Sequence, residues 1–129
     1  MESLLITPIN VEAQNEGTWT DYYGVHLKIG RANNPVFKKI MIKVNAGQEL
    51  RNEIPDPDDR EEENVKILAK SVGEGLLFDW QDHPSGAPYS KENSCALMLQ
   101  DPDCRAFVIA FSNNIENYHR DNVVLTLEK

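Results

Sequence analysis

Histidine and cysteine are scarce in this 129-residue chain, which holds three of the first and two of the second. A His/Cys metal site needs its ligands gathered, commonly at i and i+4 on a helix or as CxxC pairs. His26, His83 and His119 fall in separate segments, and Cys95 and Cys104 form no such pair. Two thiols cannot build a disulfide framework, so both read as reduced core cysteines on helical segments. No metal and no other cofactor is expected.

Positive charge is also in short supply. Thirteen Lys and Arg stand against 21 Asp and Glu, a net charge of -8 and an isoelectric point near 4.8. Such a chain repels phosphate backbones and anionic lipid, which argues against nucleic acid or a membrane surface as partner. Long apolar runs are missing too. The opening MESLLITPIN offers only Leu4, Leu5 and Ile6, with no basic residue before them. It reads as neither a signal peptide nor a membrane span, and the expected location is the cytoplasm.

Catalytic signatures are equally sparse. There is no GxSxG elbow and no GxGxxG or GxxxxGK[ST] phosphate loop. The acidic stretch from Asp56 fails as a calcium loop, because the sixth position is Glu61 where Gly is needed and the twelfth is Ile67 where Glu is needed. It reads instead as a solvated, helix-capping charge run. No enzymatic activity, catalytic residue or small-molecule substrate is expected. The alternative is a small hydrolase whose site gathers only in the fold, bringing His83 or His119 to Cys95 or Cys104.

What remains is a chain of ordinary globular make-up, 40% hydrophobic and 26% charged, of a length that suits one domain. Residues 1–16 show no sustained period and read as a loose arm or edge strand. Val25, Leu27 and Ile29 alternate with His26 and Lys28, which with Trp19 predicts a hairpin over 18–31, turned by Asp21–Gly24 as a type I turn. Asn34 and Pro35 open a helix carrying Val36, Phe37, Ile40, Met41 and Val44 on one side, up to Gly47. A second helix follows the acidic run, with Val65, Leu68, Val72 and Leu76 at helical spacing, and is expected to run on to Trp80. Ser90 caps a short helix, and Asp101 with Pro102 opens a last one along Cys104, Phe107, Val108, Phe111, Ile115 and Tyr118. The helical body therefore covers 34–119. The tail 120–129 is left as a strand, a helical extension or an unstructured end. The fold class is mainly α with a small N-terminal β-hairpin, an α+β domain of about four helices.

Without a catalytic signature, the apolar side chains are the functional candidates. Phe78 and Trp80 end a helix beside a Pro/Gly turn, where burial is least assured, and Trp is a frequent interface anchor. With Phe107, Phe111 and Tyr118 they form the candidate partner-binding set.

The order of W-x-D-Y-Y-G-V-H-L-K-I-G-R-A-N-N-P-V-F (Trp19–Phe37), G-L-L-F-D-W-Q-D (Gly75–Asp82), P-Y-S-K-E-N (Pro88–Asn93) and L-Q-D-P-D (Leu99–Asp103) before a closing aromatic helix resembles the tail assembly chaperones of bacteriophages with long, non-contractile tails. The resemblance implies a protein that binds the tape measure protein and keeps it soluble while the tail tube polymerises, with contacts to the tail tube protein and to other copies of itself. It also implies action in the host bacterial cytoplasm and absence from the mature virion. A structural minor tail or neck protein is the alternative.

Overall fold

The computed structural model describes residues 10–118. The tail 120–129, His119 and the first nine residues of the expected arm lie outside the described residues. The rest of that arm is a correction: Val11–Glu16 forms a short helix, α1, rather than loose chain or a strand. Asn10 caps it by accepting from the Ala13 N–H at 3.0 Å. Arg31 then holds it, donating from Nη1 to Gln14 Oε1 at 2.9 Å and from its backbone N–H to the Gln14 carbonyl at 3.0 Å.

The hairpin forms as expected from β1 (Thr18–Tyr22) and β2 (Val25–Ile29), but its turn differs. Tyr22 pairs with Val25, so the loop is the two residues Tyr23 and Gly24. Both have positive φ, 48° and 87°. That is the mark of a type I′ connection, whose twist matches the flanking strands, and not of a type I turn.

Beyond Asn34 the chain is largely helical: α2 (Pro35–Ala46), α3 (Gln48–Asn52), α4 (Pro57–Gly75), α5 (Lys91–Gln100) and α6 (Pro102–Asn113). With α1 this makes six α-helices among the described residues, where about four were expected; the two additions, α1 and α3, are short. The caps read from the sequence at Asn34, Ser90 and Asp101 are in place, and the acidic run supplies a fourth, Asp56. Asn34 accepts from Phe37 N–H, Asp56 from Asp58 and Asp59, Ser90 from Asn93, and Asp101 from Cys104. Each satisfies an otherwise orphaned helical donor, a contribution of about 1 kcal/mol.

Two helical expectations are overturned. The second helix stops at Gly75, and Leu77–Gln81 is a strand, β3, pairing antiparallel with β2 through Leu27 and Trp80. The sheet order is β1-β2-β3. The last helix breaks at Asn114, whose extended backbone hands the chain to a 3-10 turn, Ile115–Tyr118.

One side of the sheet meets α4, α5 and α6 in a single cluster that includes Leu27, Ile29, Val72, Leu76, Leu77, Met98 and Val108. Buried polar groups in it are paired. Ser94 donates its hydroxyl to the Gly73 carbonyl at 2.7 Å, and the fully buried Asn34 side-chain amide donates to the Gly75 carbonyl at 2.9 Å. Because an unpaired buried donor costs a few kcal/mol, these bonds fix where α4 ends against its neighbours.

Candidate functional site

The five aromatic residues singled out in the sequence part into separate groups. Phe107 and Phe111 are half-buried on α6, and with Tyr118 they continue a ladder of rings that starts at the hairpin tip. Tyr23 meets Tyr22 edge-on at 4.8 Å, Tyr22 meets Phe107 at 4.8 Å, Phe107 meets Phe111 at 6.1 Å, and Phe111 meets Tyr118 edge-on at 6.0 Å. Offset and edge-on pairs at these spacings suit the ring quadrupole and stabilise by about 1 kcal/mol each. Phe78 lies apart, half-buried on β3 with its ring over Gly30. Trp80 is also separate, packed edge-on against Tyr89 at 5.1 Å.

Burial corrects the expectation for two of the five. Trp80 and Tyr118 are core residues, 6% and 0% exposed. Their polar ends are occupied as well: Trp80 Nε1 donates to the Ala87 carbonyl at 2.9 Å, and the Tyr118 hydroxyl donates to the Ile29 carbonyl at 3.1 Å. Neither presents a face to a partner. Phe78, Phe107 and Phe111 keep partial exposure.

The ladder's outer end opens on a cleft of about 450 Å³ between the hairpin tip, the loop after β3 and the α5–α6 corner. Its floor is apolar, from Val25, Leu27 and Leu97, and its walls carry Tyr22, Tyr23, His83, Gln100, Asp101 and Cys104. Tyr23 is 90% exposed at the lip. No Lys or Arg lines it. Sequence reading missed Tyr22 and Tyr23 because D-Y-Y-G reads as a turn and nothing more; the available signal was two large aromatics beside the glycine of a tight loop, where they have little to bury against. Trp80 touches this site indirectly, its ring 5.5 Å from that of His83.

Electrostatically the cleft favours cations and neutral acids. Burial first, then the nearby Cys104, Asp101 and Asp103, raise the Tyr22 phenol above its ordinary value of 10.0. Burial and then Asp101 push the Cys104 thiol from 9.0 up to about 11. His83 and Cys104 therefore do share a cleft, the gathering that the hydrolase alternative asked for. The chemistry runs against it, since the thiolate is the nucleophile and this thiol is held protonated. No hydrogen bond joins the pair, and His83 Nδ1 instead accepts from the Ser85 N–H at 3.2 Å. Among the described residues no three His, Cys, Asp or Glu side chains converge on a point where a metal ion could be held.

The shifted groups set an alkaline limit on stability. Cys104, Tyr22, Tyr89 and Tyr118 are all acids whose values are raised on folding, in each case chiefly by burial. A raised value means that the unfolded chain ionises first, so the contribution is intact below the unfolded values and is lost as pH climbs through the folded ones. The melting temperature is expected to be level up to about pH 9 and to fall steeply by about pH 11. A melting temperature that holds or rises over that interval contradicts the burial of Cys104 and Tyr118, the two of the four that lie in the core.

Comparison with known proteins adds one finding. No curated protein and no solved structure matches the chain. A family model does, that of the YdaY prophage protein, over residues 28–129. The matched stretch starts within β2 and takes in every helix from α2 onward, with the α5–α6 side of the cleft. A match over that much of the sequence places the chain in the YdaY prophage protein family, a family of phage-derived proteins.

Proposed function

We propose that this prophage protein is a tail assembly chaperone, a non-enzymatic carrier that binds the tape measure protein and keeps it soluble while the tail tube assembles. The observation that carries the reading is the acidic, tyrosine-lipped cleft at the hairpin tip. An apolar floor under the exposed Tyr23 ring, the half-buried Tyr22 and the Asp101 carboxylate suits a polypeptide segment that mixes aliphatic side chains with Lys or Arg. The phage origin of the family and the order of sequence motifs support the client's identity. The carrier needs neither ATP nor metal, because binding the unassembled client withdraws it from aggregation by mass action. Several copies along one client add weak contacts into firm retention. The tail tube protein is the further partner this role implies, and the site of action is the host bacterial cytoplasm. Mass spectrometry of purified particles separates this role from that of a minor tail or neck protein, since a chaperone leaves and a structural subunit stays.

The cleft is tested with Tyr23→Ala combined with Asp101→Asn. The first removes an exposed ring. The second removes charge while keeping an α6 cap, because Asn caps as well as Asp. The double variant is expected to stay folded and to retain about tenfold less tape measure protein on co-purification, a loss of ~1.4 kcal/mol. Undiminished retention by the folded variant removes the cleft from the contact surface.

A further inference from the structure

Away from the cleft, α2 presents an outward face that its own fold leaves uncovered. None of its twelve residues is fully buried. Ile42 is 69% exposed, and Leu50 on the adjoining α3 is 72% exposed. Lys38 and Lys39 sit four and three residues before Ile42 and share its face. Over residues 35–52 the chain has four cations, Lys38, Lys39, Lys43 and Arg51, against the single carboxylate Glu49. This is a basic and greasy island on a protein of net charge -8.

The next element reverses the sign. Residues 53–63 hold seven carboxylates against Arg60 alone, and those on the first turns of α4 are exposed. α3 packs on both α2 and α4, so island and ridge belong to neighbouring elements. Yet they do not neutralise each other. Glu62 pairs within its own helix, with Lys66 at 3.3 Å, and among the described residues no ion pair reaches Lys38, Lys39 or Lys43.

We propose that the island is a docking surface for a second copy of this chain, with the basic α2 face of each protomer set against the acidic start of the other's α4. A two-fold arrangement sets each basic face against an acidic one at once, because residue i of one copy meets j of the other and j meets i. Ile42 and Leu50 supply the apolar contact that exposed ion pairs alone do not. This pairing goes beyond the client-binding role and stands or falls without it.

Salt decides the sign. Two copies of an acidic protein repel, and if general repulsion governed their encounter, added salt would promote association. Complementary faces behave in the opposite way: raising ionic strength from about 0.01 M to about 1 M shrinks the screening length from ~30 to ~3 Å and weakens them. Sedimentation velocity of the full chain is therefore expected to show a dimer at low salt that dissociates as salt rises. The variant K38E/K39E/K43E and the variant E61K/E62K/E63K are each expected to dimerise at least ~10-fold more weakly. An equimolar mixture of the two is expected to recover association, because every contact across the heterodimer is again of opposite sign. Circular dichroism of each variant checks that α2 and α4 remain helical. A wild-type monomer at low salt, a dimer that tightens with salt, or a mixture no better than its parts overturns the proposal.

Discussion

Gly73→Ala is expected to destabilise the protein by about 2 to 3 kcal/mol, although alanine in place of a helical glycine ordinarily stabilises by ~1 kcal/mol. The reversal comes from α5. A Cβ on Gly73 would stand 2.8 Å from both Cα and N of Cys95 and 3.0 Å from the carbonyl carbon of Ser94. These are backbone atoms, which cannot rotate aside as the tip of a side chain can. Relief requires α4 and α5 to separate, and that separation stretches the 2.7 Å bond from Ser94 Oγ to the Gly73 carbonyl. It also loosens Met98, which is fully buried on the same helix as Ser94. Urea unfolding with Lys70→Ala as an exposed control on α4 measures the effect. A midpoint for Gly73→Ala at or above that of the parent contradicts the close approach of the two helices.

Tyr118→Ala is expected to cost about 4 kcal/mol, and Tyr118→Phe about 1 to 2 kcal/mol. The larger figure reflects a ring with no exposed surface that closes the ladder against Phe111. The smaller isolates the hydroxyl, whose removal leaves the Ile29 carbonyl without the donor it has at 3.1 Å. Tyr118 also joins distant parts of the chain, since its own carbonyl accepts from the Asn10 N–H at 2.8 Å. Losing the ring therefore loosens the attachment of α1 as well as the core. Equal costs for the two variants would place the whole contribution in the hydroxyl, and a cost below about 1 kcal/mol for Tyr118→Ala contradicts its position in the core.

How much of this was readable beforehand follows from which forces are local. The caps at Asn34, Ser90 and Asp101 act within three residues of themselves, so residue type and position suffice to place the starts of α2, α5 and α6, while the acidic run marks the entry to α4 without singling out its cap, Asp56. The strand β2 was equally plain, because one buried face imposes alternation. β3 was hidden by coincidence of period: Val72, Leu76 and Trp80 keep a spacing of four, and helix and strand readings agree on all three. What makes Leu77–Gln81 a strand is its pairing with β2, a partner some fifty residues earlier that no window contains. The break at Asn114 has the same cause, since the spacing from Phe111 through Ile115 to Tyr118 continues on paper while the hydroxyl of Tyr118 is drawn to Ile29.

The site was legible in the same uneven way. Phe107 and Phe111 are legible as neighbours because one helix aligns them, and their rings do meet at 6.1 Å, but neither lines the cleft. Trp80 reads as less surely buried because it closes a helical pattern beside a Pro/Gly turn, and Tyr118 reads as one more ring of a helix stripe; the burial of both depends on the Ala87 and Ile29 carbonyls, brought to them only by the fold. Tyr23, the most exposed aromatic in the cleft, was passed over as a turn residue. The cleft of the proposed function draws on the hairpin tip and the α5–α6 corner, whereas the aromatic set read from the sequence lies on β3, α6 and the 3-10 turn.

The role proposed for this member of the YdaY prophage protein family is to hold another polypeptide rather than to act on a small molecule. Co-expression of the full chain with the tape measure protein tests it most directly, by comparing how much of the tape measure protein stays soluble with and without the chain and whether the two are recovered together. A soluble complex is expected when both are present, and an aggregated tape measure protein when it is expressed alone. Equal solubility in the two cases, with no joint recovery at low salt, would contradict it.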